Sequence, residues 1–244
     1  MIRIRNFKVQ PTIFPDETSQ VWKIPEECFL DSTIKWDFEN EGELIQVAQL
    51  AALCHSKGHR VGLEIPFLPY GRQDKEISNS TTFALSPFAD LINAMNFSIV
   101  STLDAHSDVS SKIKNLLNLV PMDEIGFAMQ VCCPNLLGFP DRGAEKRYSF
   151  LQHAAIIGQK KRNADTGFIS YFGMHGDEPK NNTILIVDDI CDGGVTFCLF
   201  AEMLLKAGAK EVHLYTTHGI YSKGLTPLRK SGIKRIFNRK GEVK

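Results

Sequence analysis

"TILIVDDICDGGVT", residues 183–196, sets an apolar run against three acids, two glycines and a threonine. Four apolar residues followed directly by acids and a Gly-Gly pair read as a buried strand ending in a tight loop. The next stretch, "VTFCLFAEMLLKAGA", residues 195–209, has helical spacing. A strand, a glycine turn and a helix in that order place the acids at the carboxyl end of a strand. In open parallel sheets that is where ligands bind. Gly193 and Gly194 permit tight backbone geometry, and free N–H groups at a helix start near Val195 or Thr196 suit an anion, phosphate above all. Asp188 and Asp189 are suited to ribose hydroxyls or to Mg²⁺ and its waters. The plainer alternative is a capped turn with Asp192 as the N-cap. Capping explains one acid and leaves the pair unexplained. No GxxxxGK[ST] loop occurs, so this is not a Walker A site.

Outward from this stretch the pattern repeats. Residues 1–38 read as short β segments, beginning with the alternating "MIRIRNFKVQ". "EGELIQVAQLAALCHSKGH" (41–59) places Leu44, Val47, Ala48, Ala51 and Ala52 at helical spacing, with Gly58 as a stop. A strand follows in "RVGLEIPFLPYG", a helix in "TFALSPFADLINAMN" and a strand in "FSIVSTLDAH". "NLLNLVPMDEI" (115–125) is a weaker region and a domain junction. Beyond it come strands in "NLLGFPD", "AAIIG" and "EVHLYTTH" and a helix in "AEKRYSFLQ". Alternating strands and helices predict parallel α/β sheets, and two similar halves predict two domains, residues 1–120 and 121–244.

The 244 residues carry 28 Lys and Arg against 28 Asp and Glu. No net field draws nucleic acid or an anionic membrane. No stretch approaches the ~20 apolar residues that span a bilayer. The six cysteines lack CxxC spacing and are expected to be reduced thiols of a cytoplasmic protein. His55 and His59 stand four apart, but without a third ligand they are expected to be solvated at a helix end.

The segment "ILIVDDICDGGVT" resembles the phosphoribosyl-pyrophosphate signature shared by type I phosphoribosyltransferases and ribose-phosphate pyrophosphokinases. Five further segments, in family order, resemble the pyrophosphokinases: "IPFLPYGRQDK", "STLDAHSD", "FPDRGAEKR", "AIIGQKKR" and "TTHGIYSKG". The resemblance implies two similar type I phosphoribosyltransferase-like domains, an N-terminal one carrying the ATP loop and a C-terminal one binding phosphoribosyl. It implies transfer of the β,γ-diphosphate of ATP to the anomeric hydroxyl of a ribose 5-phosphate, with Mg²⁺ as cofactor. Arg72, Gln73 and Asp74 would approach ATP, and His106 its phosphates or the metal. Asp141 would help place a metal. Lys160 and Arg162 would stabilise the transferring phosphates, Asp188 and Asp189 would hold the ribose hydroxyls of the acceptor, and Asp192, Gly193, Gly194, Val195 and Thr196 its phosphate. Phe14 and Asp16, in "IFPDETSQV", correspond to an aromatic and an acid offered to the adenine site of a neighbouring subunit. A homo-oligomer, dimer or hexamer, is implied.

The chain departs from the family at both ends, which are short, a trimming expected to affect the ring-like oligomer and its allosteric site. It also departs within the phosphate loop. Where the family commonly has Asp-Thr-Gly-Gly-Thr, this chain has Asp192, Gly193, Gly194, Val195 and Thr196. Loss of one hydroxyl to a charged phosphate typically costs about 1.5–3 kcal/mol. The altered loop suits an acceptor that continues beyond one phosphate, such as ADP-ribose. The remaining readings are a phosphoribosyltransferase, which would have one core domain and a hood, and a non-catalytic synthetase-associated subunit, which retention of Arg72, His106, Lys160, Arg162 and the paired aspartates opposes.

Overall fold

The computed structural model describes residues 1–30, 32–76, 78–162 and 169–244, with backbone alone for 160–162 and 169–172. They form two compact units, Met1–Val120 and Pro121–Lys244.

The first unit opens with β1 (Ile2–Ile4), β2 (Phe7–Lys8), β3 (Thr12–Ile13), β4 (Ser19–Gln20) and β5 (Ser32–Trp36). Then come α1 (Gly42–Ser56), β6 (Val61–Glu64), α2 (Leu85–Ala94), β7 (Val100–Leu103) and β8 (Leu116–Leu119). Its main sheet has the order β2-β1-β5-β6-β7-β8. The last four strands are parallel to one another, while β1 pairs antiparallel with β2 and β5. β3 and β4 form a separate hairpin. The helix expected over residues 41–59 is present, with its buried stripe turned from the expected one. Val47, Leu50, Ala51 and Cys54 are buried, whereas Ala52 is exposed. The turn brings the larger Leu50 and Cys54 inward, where they remove more apolar surface from water than Ala52 would.

The second unit comprises α3 (Met122–Cys132), β9 (Leu136–Phe139), α4 (Arg142–Arg147), β10 (Ala155–Arg162), β11 (Ile169–Gly176) and β12 (Thr183–Cys191). It ends with α5 (Val195–Lys206), β13 (Glu211–Gly219), α6 (Thr226–Lys230), β14 (Ile233–Asn238) and β15 (Gly241–Glu242). The sheet order is β11-β10-β9-β12-β13-β14-β15, with β10, β9, β12, β13 and β14 parallel. β11 and β15 close the edges antiparallel. The fold is therefore α/β with two mainly parallel sheets flanked by helices, as the alternating pattern predicts.

Why β12 reads as a continuous apolar run is visible in its two faces. Ile184 and Ile186 pack with Phe197, Phe200 and Leu204 of α5. Leu185 and Val187 pack on the opposite face with Ile125 and Ala128 of α3 and Ala144 of α4. A strand covered on both sides needs apolar residues at every position. Neither β11 nor α3 was expected from the sequence. The weak stretch at 115–125 contains β8 and the start of α3.

Candidate functional site

The chain reaches β9, then places β10 on one side of it and β12 on the other. The gap beyond the carboxyl ends of β9 and β12 is thus the topological switch point of the second sheet. From β9 the chain enters α4, whose N-cap is Asp141; its Oδ1 accepts the N–H of Ala144 at 3.0 Å. From β12 it enters the turn to α5.

At the end of α4, Arg147 comes back over β12. Its Nη1 lies 2.6 Å from Asp189 Oδ1 and 3.5 Å from Asp188 Oδ1. The side chain of Asp189 is 2% exposed, that of Asp188 16% and that of Arg147 20%. Two neighbouring carboxylates thus share one guanidinium in a nearly dry place. Burial pushes the Asp188 carboxyl well above the usual range, and the charges of Asp189 and Asp141 push it further, against the pull of Arg147. Perturbation of this kind in a crevice is typical of a ligand site.

The turn after β12 is built for close approach. Gly194, at φ +77°, is the N-cap of α5, and a Cβ there would stand 3.0 Å from Leu228 Cδ2. Asp192 is exposed and does not cap the helix, so the capping alternative is not what the structure contains. The leading N–H groups of α5 have no partner within the helix. Val195, at the first helical position, is 52% exposed, and Thr196 is half-buried. Cys191, fully buried, uses its carbonyl to accept the N–H groups of Ile220 at 2.8 Å and Tyr221 at 3.1 Å. This ties the turn after β13 to the end of β12. Thr217 and His218 are buried at the end of β13.

In the first unit, two loops meet beyond neighbouring parallel strands. The one after β6 carries Arg72 and Gln73, both exposed, and Asp74, half-buried. The one after β7 carries half-buried His106. A Cβ on Gly71 would lie 3.8 Å from His106 Cβ, so Arg72 and His106 are brought to the same edge. Buried Asp104, at φ +54°, turns the chain there, its N–H bonded to Leu119 O at 2.8 Å. The hydroxyl of Tyr70 donates to Glu41 Oε1 at 2.5 Å, and that bond with burial takes its pKa up to about 12. Phe14, 40% exposed, and Asp16 lie in the turn of the β3–β4 hairpin. The Asp16 carboxylate accepts the hydroxyl of Thr18 at 2.7 Å and its N–H at 3.1 Å.

Lys160 and Arg162 have their backbone in β10, where Lys160 registers with Phe172 and a bulge falls between Lys161 and Arg162. Their side chains lie outside the described residues. His55 Nε2 is bonded to Met95 O at 3.0 Å. Among the described residues no group of three or more His, Cys, Asp and Glu side chains is poised to hold a metal by itself. Nor is any helix among them long and apolar enough to cross a membrane. Arg147 is the site residue that sequence reasoning missed. The only hint is its position at the end of "FPDRGAEKR".

A glycine turn and paired acids at the switch point of a mainly parallel sheet make this an α/β protein of the ligand-binding, open-sheet class. The model of the phosphoribosyl transferase domain family matches residues 151–243. The ribose-phosphate pyrophosphokinase of Cereibacter sphaeroides is 31% identical over 198 residues, covering 75% of this chain and 57% of its own. That of Marinomonas sp. is 30% identical over 224 residues, covering 85% and 68%. The chain belongs to the ribose-phosphate pyrophosphokinase family. It spans only 57% to 62% of the lengths of the Cereibacter sphaeroides and Granulibacter bethesdensis relatives. Phosphoribosylpyrophosphate synthetase from Mycobacterium smegmatis shares the fold, with a TM-score of 0.78 at 20% identity, over 95% of this chain and 79% of that one.

Proposed function

We propose that the chain is an ATP-dependent pyrophosphokinase whose acceptor is the anomeric hydroxyl of ribose 5-phosphate. The observation that carries this reading is the pair Asp188 and Asp189, held by one arginine beside a glycine turn at the head of α5. In this reading the acids accept ribose hydroxyls, and the turn and helix N–H groups of residues 192–196 donate to the oxygens of the 5-phosphate. The anomeric oxygen then attacks the β-phosphorus of ATP. The bond from that phosphorus to the α,β-bridging oxygen breaks, AMP leaves carrying that oxygen, and the hydroxyl proton passes to water.

Charge on the migrating diphosphate calls for positioning and cations rather than covalent chemistry. Arg72, Gln73, Asp74 and His106 on the first unit are assigned to ATP. Lys160 and Arg162 are assigned to the transferring phosphates. The donor set fits Mg²⁺. The neighbouring carboxylates of Asp141, Asp188 and Asp189, with no protein-only cage among the described residues, suit an ion bound through one or two carboxylates and substrate oxygens. Bound there, or beside His106, Mg²⁺ would neutralise phosphate charge. Phe14, exposed in its hairpin turn, would serve ATP held by a second copy, which is the reason to expect a homo-oligomer.

A second reading, transfer to ADP-ribose, is favoured by the altered loop, in which Gly193 offers no hydroxyl to a terminal phosphate and Val195 is exposed. The paired sheet units oppose a simple phosphoribosyltransferase. The test is AMP release from Mg-ATP with ribose 5-phosphate and with ADP-ribose as separate acceptors, Lys160→Ala serving as the control. Release with ribose 5-phosphate, lost in the variant, supports the first reading. Release mainly with ADP-ribose supports the second. Release with neither overturns both.

A further inference from the structure

The turn after β13 brings a cation to the phosphate loop that none of the readings above uses. Lys223 runs alongside Gly193: a Cβ on that glycine would touch the Cδ and Cε of Lys223 at 3.6 Å. Its place is firmly set. The carbonyl of Cys191, one residue before the loop, holds the N–H groups of Ile220 and Tyr221. Gly224 N–H closes the turn on Tyr221 O at 2.7 Å. Tyr221 itself, at φ +51°, lies against Gly219 so closely that any Cβ there would collide with its ring. Its hydroxyl is 3.4 Å from Thr216 Oγ1. The ammonium stands at the end of a stem laid over the loop, and among the described residues no carboxylate forms an ion pair with it.

A lysine packed by its stem against backbone with its head free is placed to meet an anion on that backbone. The loop beneath it offers N–H groups but, at Gly193, no hydroxyl. We infer that Lys223 is a specificity-determining residue that binds the phosphate on the 5′ side of the acceptor, supplying from the neighbouring turn the contact that Gly193 does not. The inference rests on the acceptor-site reading above. It concerns the phosphate alone and holds for ribose 5-phosphate and for a longer 5′-phosphate ester alike.

The experiment compares wild type, Lys223→Ala, Lys223→Arg and Lys223→Glu in AMP release with ribose 5-phosphate varied. Calorimetric titrations use ribose 5-phosphate and, as a probe without phosphate, ribose. Lys223→Ala is expected to raise the acceptor KM about tenfold, the low end for loss of a charge-assisted hydrogen bond from an exposed group. Its kcat and its KM for ATP stay within about twofold. Lys223→Arg recovers most of the loss, Lys223→Glu exceeds it, and binding of ribose is unchanged. An acceptor KM within twofold of wild type in Lys223→Ala overturns the inference. So does an equal rise in the KM for ATP, an arginine variant as poor as the alanine, or equal weakening toward ribose. If wild type releases no AMP, the proposed reaction fails. The ratio of calorimetric affinities for ribose 5-phosphate between wild type and Lys223→Ala then still decides the role of Lys223.

Discussion

Replacing Arg147 with methionine removes the one guanidinium shared by Asp188 and Asp189 while keeping an unbranched stem of similar reach. At 2.6 and 3.5 Å, each attraction is worth roughly 5–6 kcal/mol at the effective dielectric of about 20 that suits partly buried pairs. Much of that is cancelled by desolvation and by the repulsion between the two acids that wild type already bears. Breaking a buried pair by removing one partner costs about 3–5 kcal/mol. The 20% exposure of Arg147 puts the expected loss near the bottom of that range, about 3 kcal/mol at pH 7.5. With a urea m-value of about 2 kcal/mol/M, the midpoint of the transition that reports the second unit moves down by roughly 1.5 M. The loss should shrink as pH falls, because the orphaned acids then take up protons and cease to be buried charges. Asp189→Asn in the same background should recover most of the deficit. Urea melts of wild type, Arg147→Met and the double variant at pH 7.5 and pH 5 supply the check. A loss below about 1 kcal/mol at pH 7.5, or one that grows on acidification, would refute the electrostatic account of this site.

Asp188→Asn should do the reverse and stabilise the chain by about 1 kcal/mol at pH 7.5, since a carboxyl whose pKa is raised in the folded state opposes folding once ionised. The gain should fade toward pH 4, where wild-type Asp188 is protonated, and calorimetry should find binding of ribose 5-phosphate weakened at least tenfold. His213 gives a second pH signature. Burial, with help from Arg235 and Lys234, holds its pKa below the ordinary 6.5 against the opposing charge of Glu211, and its buried Nδ1 has no hydrogen-bond partner among the described residues. Below pH 6.5 the unfolded chain binds a proton that the folded chain resists, so stability falls with acidification until the folded pKa is passed. Thermal melts from pH 8 to pH 5 should show this fall, and His213→Leu should flatten it.

Much of this architecture is legible because it rests on local patterns. The apolar run of β12 is forced by cover on both faces, and the glycine turn by the positive φ of Gly194. The apolar run and the Gly-Gly pair place Asp188 and Asp189 at the carboxyl end of a strand from the sequence alone, and the strand order makes that end a switch point. What stays hidden depends on pairing or on distant partners. β11 closes an edge by antiparallel bonding to β10, which needs no strong apolar alternation. α3 buries only Ile125 and Ala128, too narrow a stripe to stand out beside Pro121. Arg147 and Lys223 belong to the site through chain segments remote from the loop they serve. A sequence shows that each is basic but not what it faces. The hydroxyl missing at Gly193 is legible as a loss, whereas the lysine beside that glycine emerges only from the folded turn.

The central claim is a diphosphate delivered whole to an anomeric oxygen, and phosphorus NMR of the reaction mixture tests it most directly. With Mg-ATP and ribose 5-phosphate the account predicts that the β and γ signals of ATP give way to a coupled diphosphate pair on C1 of the sugar. AMP should accumulate in equal amount, and all turnover should be lost in Asp188→Asn together with Asp189→Asn. ADP with a sugar monophosphate would make the chain an ordinary phosphoryl kinase, and an unchanged spectrum with every ribosyl acceptor would leave it a binding protein. Either spectrum would contradict the claim.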